Sequence, residues 1–565
     1  MKSRMALWNM WAWVLLCAAH AHSATVADGN NIWVFLRDKL DAQGQTVRWR
    51  AMGIGHEAVE WDLPLREEYI DRVRATGVDV RAHSRWFNAL SVRATPDQEQ
   101  ALGSLDCVQS IRPVRRLHRP PPDRVAASLP AGRLAQQEGY GIAFEQLAQS
   151  EVIPLHQLGY TGAGVRVAVI DNGFHYIGHR AFTQRLNVIA QRDFVNGDDV
   201  VSDEVDQPRT GDETRSSQNL HGAQVLSVLA AYDPDRFIGV APDAEYILAK
   251  TEENATELPI EEDRWVAGLE WAVSQGADVV NSSLGYNIWD VGESYEYADL
   301  DGQTALTSIA ATIAVERGVV VVVAAGNEAD APWHYITAPA DADGVISVGS
   351  VDVVVDDKRS PTIASSSSRG PTADGRIKPD VVAPGQGVVV ADVRGGDYKR
   401  SSGTSFAAPL VSGVCALLLQ ANPDWSPSDV LSALRATAID LGAAGPDTVY
   451  GWGHVQALAA SGLRVVAPDK SVALTPFPNP ARDQHIYFPV LVDQRDEVEL
   501  SIFDVAGNVV FAQRWAMLSG SYTRTDNAPR WSIGPEVANG LYFYRLQSSS
   551  VNTSGTLAVV RSNRP

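Results

Sequence analysis

The chain has 565 residues, too many for one ordinary folding unit, and 45% of them are apolar, enough for more than one buried core. Acidic residues outnumber basic ones by 68 to 47, a net charge of −21, which argues against a nucleic-acid binder and suits a soluble, secreted protein. With only three cysteines, a disulfide framework is excluded as well.

In chain order, the first segment is MKSRMALWNMWAWVLLCAAHAHS. Lys2 and Arg4 make a basic start, a short apolar run follows, and Ala21-His22-Ser23 is a small-x-small cleavage pattern. This is the form of a secretory signal peptide over residues 1–23, with an apolar run too short for a membrane anchor. Residues 24–118 then read as a small α+β module. REEYIDRVRATGVDV and TPDQEQALGSL have helical spacing, DVRAHSRWFNALSVRAT reads as a strand pair, and VQSIRPVRRL as a last strand. RPPPDRVAASLPAGRLAQQEG (119–139) is an exposed linker of the kind proteases cut.

From 140 to 465 the texture changes. Continuous β-branched runs (VRVAVI, AEYILAK, ADVVNSS, GVVVVVAAG, GVISVGSV) alternate with helical patterns such as GAQVLSVLAA and TALTSIAATIAVERG. Runs apolar on both faces are strands of a parallel sheet covered by helices, so the expected fold is α/β, a doubly wound, mostly parallel sheet. In such sheets sites form at the carboxyl ends of the strands. The acidic stretch NGDDVVSDEVDQPRTGDE (196–213) lacks the spacing of an EF-hand loop and reads as a solvated loop, so structural calcium is possible but not indicated. Residues 466–565 change again, to short alternating strands with Gly, Asn and Pro turns, which predicts a small β-sandwich.

Four residues of the α/β segment stand out. Asp171 ends the first buried strand, and Asn327 ends the buried strand of VVVVVAAGNEA. His221 opens the helix of HGAQVLSVLAA, and Ser405 lies in GTSFAAP at the entrance of the apolar helix LVSGVCALLLQA. Each alone has an ordinary explanation. Asp171 and Asn327 can start turns, His221 can cap a helix, and Thr404 or Ser405 can be a helix N-cap with Pro409 tolerated near the start. Together they supply an acid, a base, an amide donor and a nucleophile at strand ends and helix starts that converge on one sheet edge.

AVIDNGF, HGAQVLSVLA, AAGNE and GTSFAAP resemble the motifs of the subtilase family of serine proteases, and GVAPDAEYILAK, NSSLGY, SSRGPTADGRIKPDVVAPG and YGWGHVQALAA are similar to further segments of it. The resemblance covers roughly residues 140–460. It implies that Ser405 is the nucleophile, His221 the general base, Asp171 its orienting acid and Asn327 an oxyanion donor. It also implies that Ser283-Leu284-Gly285 and Ala324-Ala325-Gly326 line the substrate site, and that the chemistry needs no cofactor or metal. Ala223 departs from the family, which usually has Thr after His-Gly. The module at 24–118 resembles the inhibitory pro-region of subtilases, which caps the active site and is cut away. PFPNPARD…IFDVAGNVV…GLYFYRL…VVR resembles the sorting domain of the bacterial type IX secretion system. The expectation is a secreted or cell-surface serine endopeptidase. Its partners would be protein or peptide substrates, its own pro-domain as intramolecular inhibitor, and outer-membrane secretion machinery. An amidase or peptide ligase with the same triad is an alternative, as is an inactive binding protein on the same fold, which the presence of all four residues argues against.

Overall fold

The computed structural model describes residues 30–113 and 139–560, apart from 42–43, 49–60, 203–219, 254–259, 288–293, 355–359 and six short stretches between 464 and 536. The expected signal peptide, nearly all of the linker and most of the acidic stretch lie outside the described residues. The chain forms two compact units, 1–114 and 115–565.

In the first unit, strands β1 (Asn30–Leu36), β2 (Asp79–Ser84), β3 (Ala89–Ala94) and β4 (Val108–Pro113) form an antiparallel sheet in the order β2-β3-β1-β4. Helix α1 (Glu67–Arg74) packs Tyr69, Ile70 and Val73 into the same core as Ile32, Val34 and Leu36 of β1. Helix α2 (Pro96–Gly103) starts at a capping box, with Thr95 accepting from the Gln98 N–H and the Gln98 side chain accepting from the Thr95 N–H. This is the α+β arrangement expected. The helix in REEYIDRVRATGVDV is shorter than its spacing suggests, because Gly77 turns the chain at φ +78°.

In the second unit the β-branched runs become one eight-stranded sheet. Its strands are β5 (Arg166–Asp171), β6 (Asn187–Asp193), β7 (Glu245–Lys250), β8 (Val279–Ser282), β9 (Val320–Ala324), β10 (Ile346–Asp352), β11 (Val381–Asp392) and β12 (Asp397–Ser402). The order is β12-β11-β10-β9-β8-β5-β7-β6, parallel throughout except for the edge strand β12. The parallel register brings Asp171 level with Lys250, and Ser282 level with Ile170 and Val323, so several strand ends open at one edge. Helices α3 (Leu220–Ala230), α4 (Ile260–Ser274), α5 (Leu306–Glu316), α6 (Thr404–Ala421) and α7 (Pro427–Thr437) accompany it. Every residue of β9, VVVVA, is buried, as a strand covered on both faces requires. Helix α6 is long and apolar enough to cross a membrane, but its residues Leu410, Val411, Val414, Leu417 and Leu418 are fully buried in the protein core. Burying each such side chain contributes about 1.5–3 kcal/mol.

The C-terminal stretch is all β among the described residues. A four-stranded antiparallel sheet of β13 (Asp496–Phe503), β14 (Val509–Met517), β15 (Gly540–Gln547) and β16 (Asn552–Val559), in the order β14-β13-β15-β16, accompanies two smaller sheets. Leu500, Ile502, Trp531, Leu546 and Leu557 share one core there, separate from the core of the large sheet.

Candidate functional site

Asp171 is the last residue of β5 and is fully buried. Its Oδ1 accepts from His221 Nδ1 at 2.7 Å and from the Asn172 N–H at 2.8 Å, while Oδ2 has no partner among the described residues. His221 is the second residue of α3, with its side chain 31% exposed and its ring centroid 5.8 Å from that of Phe406 in α6. Burial acts to lower the His221 pKa, but the negative charge of Asp171 and its hydrogen bond outweigh it, so the imidazole titrates above its ordinary value of 6.5. Ala223, where a Thr was expected, is fully buried.

Ser405 is the second residue of α6. The ordinary reading of this stretch as a side-chain cap is overturned. The N-cap is Gly403, at φ +147° and ψ +156°, a conformation open to glycine alone, and glycine has no side chain with which to cap the helix. Helix α7 shows what a side-chain cap looks like here: Ser426 and Asp429 form a capping box, with Pro427 at the first position. At α6 the hydroxyls turn elsewhere. Ser405 Oγ donates to the Ser283 carbonyl at 3.3 Å, and Ser283 Oγ donates to the Ser405 carbonyl at 2.8 Å.

Thr404, which its sequence position marks only as a cap, does different work. Its N–H donates to Asn327 Oδ1 at 2.9 Å, its hydroxyl donates to the same oxygen at 3.2 Å, and that hydroxyl accepts from the Gly326 N–H at 3.3 Å. A backbone N–H can only donate, so the Asn327 atom facing it is the oxygen, which leaves the NH2 group free of the Thr404 clamp. Asn327 itself lies three residues beyond the end of β9 at Ala324, in a loop, not at the strand end as expected.

Ser283-Leu284-Gly285 follow β8, and Ala324 ends β9, its neighbour in the sheet, with Ala325-Gly326 following it. The segment at 337–338 joins the two. The Thr337 N–H donates to the Ala325 carbonyl, and Ala338 exchanges backbone hydrogen bonds with Tyr286 at 2.7 and 3.1 Å. The Thr337 side chain fills the space between them, and a Cβ on Gly285 would meet its Oγ1 at 2.1 Å. No local pattern in the sequence marks Thr337. Among the described residues, no group of three or more His, Cys, Asp or Glu side chains could hold a metal ion.

The model of the subtilase family matches residues 162–453, and that of a peptidase S8 propeptide domain from Bacteroidota matches residues 31–126. Subtilisin E of Bacillus subtilis (strain 168) is 32% identical over 336 residues, covering 59% of this chain and 73% of the relative. Subtilisin of Bacillus pumilus is 31% identical over 332 residues, 58% of this chain and all of the relative. The M-protease of Shouchella clausii (strain KSM-K16) is 32% identical over 329 residues, 58% of this chain and 71% of the relative.

Proposed function

The chain belongs to the subtilase family of serine proteases, and on that premise we propose that Asp171, His221 and Ser405 are its catalytic triad, with Asn327 as an oxyanion donor. The observation that carries this reading is the 2.7 Å hydrogen bond from His221 Nδ1 to a carboxylate buried at a strand end. That bond fixes the imidazole tautomer, so that Nε2 is the basic nitrogen. In the resting state Ser405 Oγ donates to the Ser283 carbonyl, so attack begins with the hydroxyl turning to His221 Nε2. Nε2 takes the proton as Oγ adds to the scissile carbonyl. Asp171 stabilises the imidazolium, and the Asn327 Nδ2–H and the Ser405 N–H at the start of α6 hold the oxyanion. His221 then gives the proton to the leaving amine, and water releases the acyl group by the same steps in reverse.

Ser283-Leu284-Gly285 and Ala324-Ala325-Gly326 would bind an extended peptide, which adds as a strand beside the first segment. The unit at 31–126 is a propeptide domain by its family match, and its proposed role is to occupy that groove until it is cut away. Residues 1–23 would direct the chain across the inner membrane, and residues 466–565 would be the address read by an outer-membrane export machine, so the enzyme works outside the cell. Reaction with a serine-directed phosphonate tests the central assignment. One adduct at Ser405, lost in His221→Ala, is expected, and labelling at another residue or none at all would overturn it.

A further inference from the structure

We propose that Asn172 is a positioning residue that holds the acid–base pair together from both sides; the inference rests on the triad reading above. Asn172 follows Asp171 directly and is buried. Its N–H donates to Asp171 Oδ1 at 2.8 Å, the same oxygen that accepts from His221. Its side-chain Oδ1 accepts at 3.2 Å from the N–H of Gly222, the residue after His221. One residue therefore ties the carboxylate to its strand end and ties the first turn of α3 to the same strand end.

The Gly222 N–H is the third of α3, one of the first four donors that a helix cannot satisfy internally. Asn172 supplies the acceptor from a segment 50 residues earlier in the chain. The junction is tightly closed. A Cβ on Gly222 would lie 2.3 Å from the Gly173 carbonyl oxygen and 3.1 Å from Asp171 Cβ, so the helix start is pressed onto the strand end with no room between. Asp171 has no other holder among the described residues: Oδ2 is without a partner, so both of its hydrogen bonds converge on Oδ1. A neutral amide suits the position. It accepts the helix N–H without placing a second negative charge beside Asp171, which would hold the imidazole protonated at higher pH. The charged group that acts on His221 is Asp171, and Lys250, level with Asp171 on the neighbouring strand, is paired with Asp193 at 2.8 Å.

The test uses the mature enzyme, normalised to active sites, and reads kcat, KM, the rising limb of kcat/KM against pH, and thermal stability. In Asn172→Ala the helix start loses its tether, so kcat should fall about 10–10²-fold with KM nearly constant. The limb should move down by roughly half a pH unit or more, because burial then acts on a less tightly paired imidazole. Asn172→Asp keeps the acceptor and the shape, so it should retain most of the rate and move the limb upward. Wild-type kinetics in Asn172→Ala would overturn the proposal, as would a rate loss with an unmoved limb, which is the mark of a purely structural residue. If Asn172→Ala fails to fold, Asn172→Asp decides, and an unmoved limb there overturns the proposal equally. Ser405→Ala separates the two readings. If it stays active the triad assignment fails, whereas an inactive Ser405→Ala beside a wild-type Asn172→Ala removes this inference alone.

Discussion

Ser283 and Ser405 are joined twice: the Ser283 hydroxyl donates to the Ser405 carbonyl at 2.8 Å, and the Ser405 hydroxyl donates to the Ser283 carbonyl at 3.3 Å. The first bond exists because of Pro409. In a regular helix the Ser405 carbonyl would accept the N–H of the residue four places on, and Pro409 has none. Ser283 takes the vacancy, and it is held in turn by Asn281 Nδ2 at 3.1 Å, whose Oδ1 accepts from Ser412 in the same helix. A proline inside α6 thus opens a bond that ties the proposed substrate edge to the proposed nucleophile.

A double-mutant cycle checks this. Ser283→Ala should lower stability by about 1–2 kcal/mol, because it leaves the Ser405 carbonyl without a partner. In a Pro409→Ala background the restored helix N–H takes that carbonyl, and the same substitution should cost less than half as much. Equal costs in the two backgrounds would show that Pro409 does not create the vacancy.

Asn327→Ala removes one donor to the oxyanion, which forms only in the transition state. The expected loss is about 10²–10³ in kcat with KM nearly unchanged. Thr404→Val keeps the backbone N–H to Asn327 and removes the hydroxyl that also holds the Gly326 N–H, so a smaller loss of the same kind is expected. A rise in KM at constant kcat would place Asn327 in ground-state binding.

Two buried histidines should make the fold acid-sensitive. Burial lowers His156 and His454 from 6.5 to about 4. Both are therefore neutral in the fold, with His156 Nε2–H donating to the Val240 carbonyl at 2.7 Å. The unfolded chain takes up these protons near pH 6.5, before the folded one does. Their contribution is thus fully present above pH 6.5 and is lost as pH falls towards 4, at about 3 kcal/mol each. Thermal stability should drop across that window, and the slope should flatten in His156→Gln with His454→Asn. An unchanged slope in the double variant would assign the acid sensitivity to other groups.

Removing residues from 466 onward should leave peptidase activity intact, because none of the proposed catalytic groups lies there. In the native host the truncated enzyme should accumulate in the periplasm. Full-level enzyme in the medium would reject the sorting role and favour a substrate-binding domain.

The sheet was legible because its strands are continuous β-branched runs, a pattern with few other uses. The four proposed catalytic residues were legible in the sequence because each sits in a short motif that resembles one of the subtilase family. What joins them was not. Asn172 meets Gly222 across 50 residues and Ser283 meets Ser405 across 122, and pairings at such separations carry no local signal. The role of Thr404 was hidden for another reason: a Thr before a helix has a common local use as a cap, and here tertiary contacts override it. The sequence points to a strand end at Asn327 because the apolar run continues to Ala325, whereas the regular strand stops at Ala324.

The most direct measurement is the processing and activity of full-length Ser405→Ala. The account predicts a folded chain that keeps its propeptide unit attached and cleaves no peptide substrate, beside a wild type that loses the unit and turns over. A purified Ser405→Ala that matures by itself and hydrolyses peptides at the wild-type rate would contradict it.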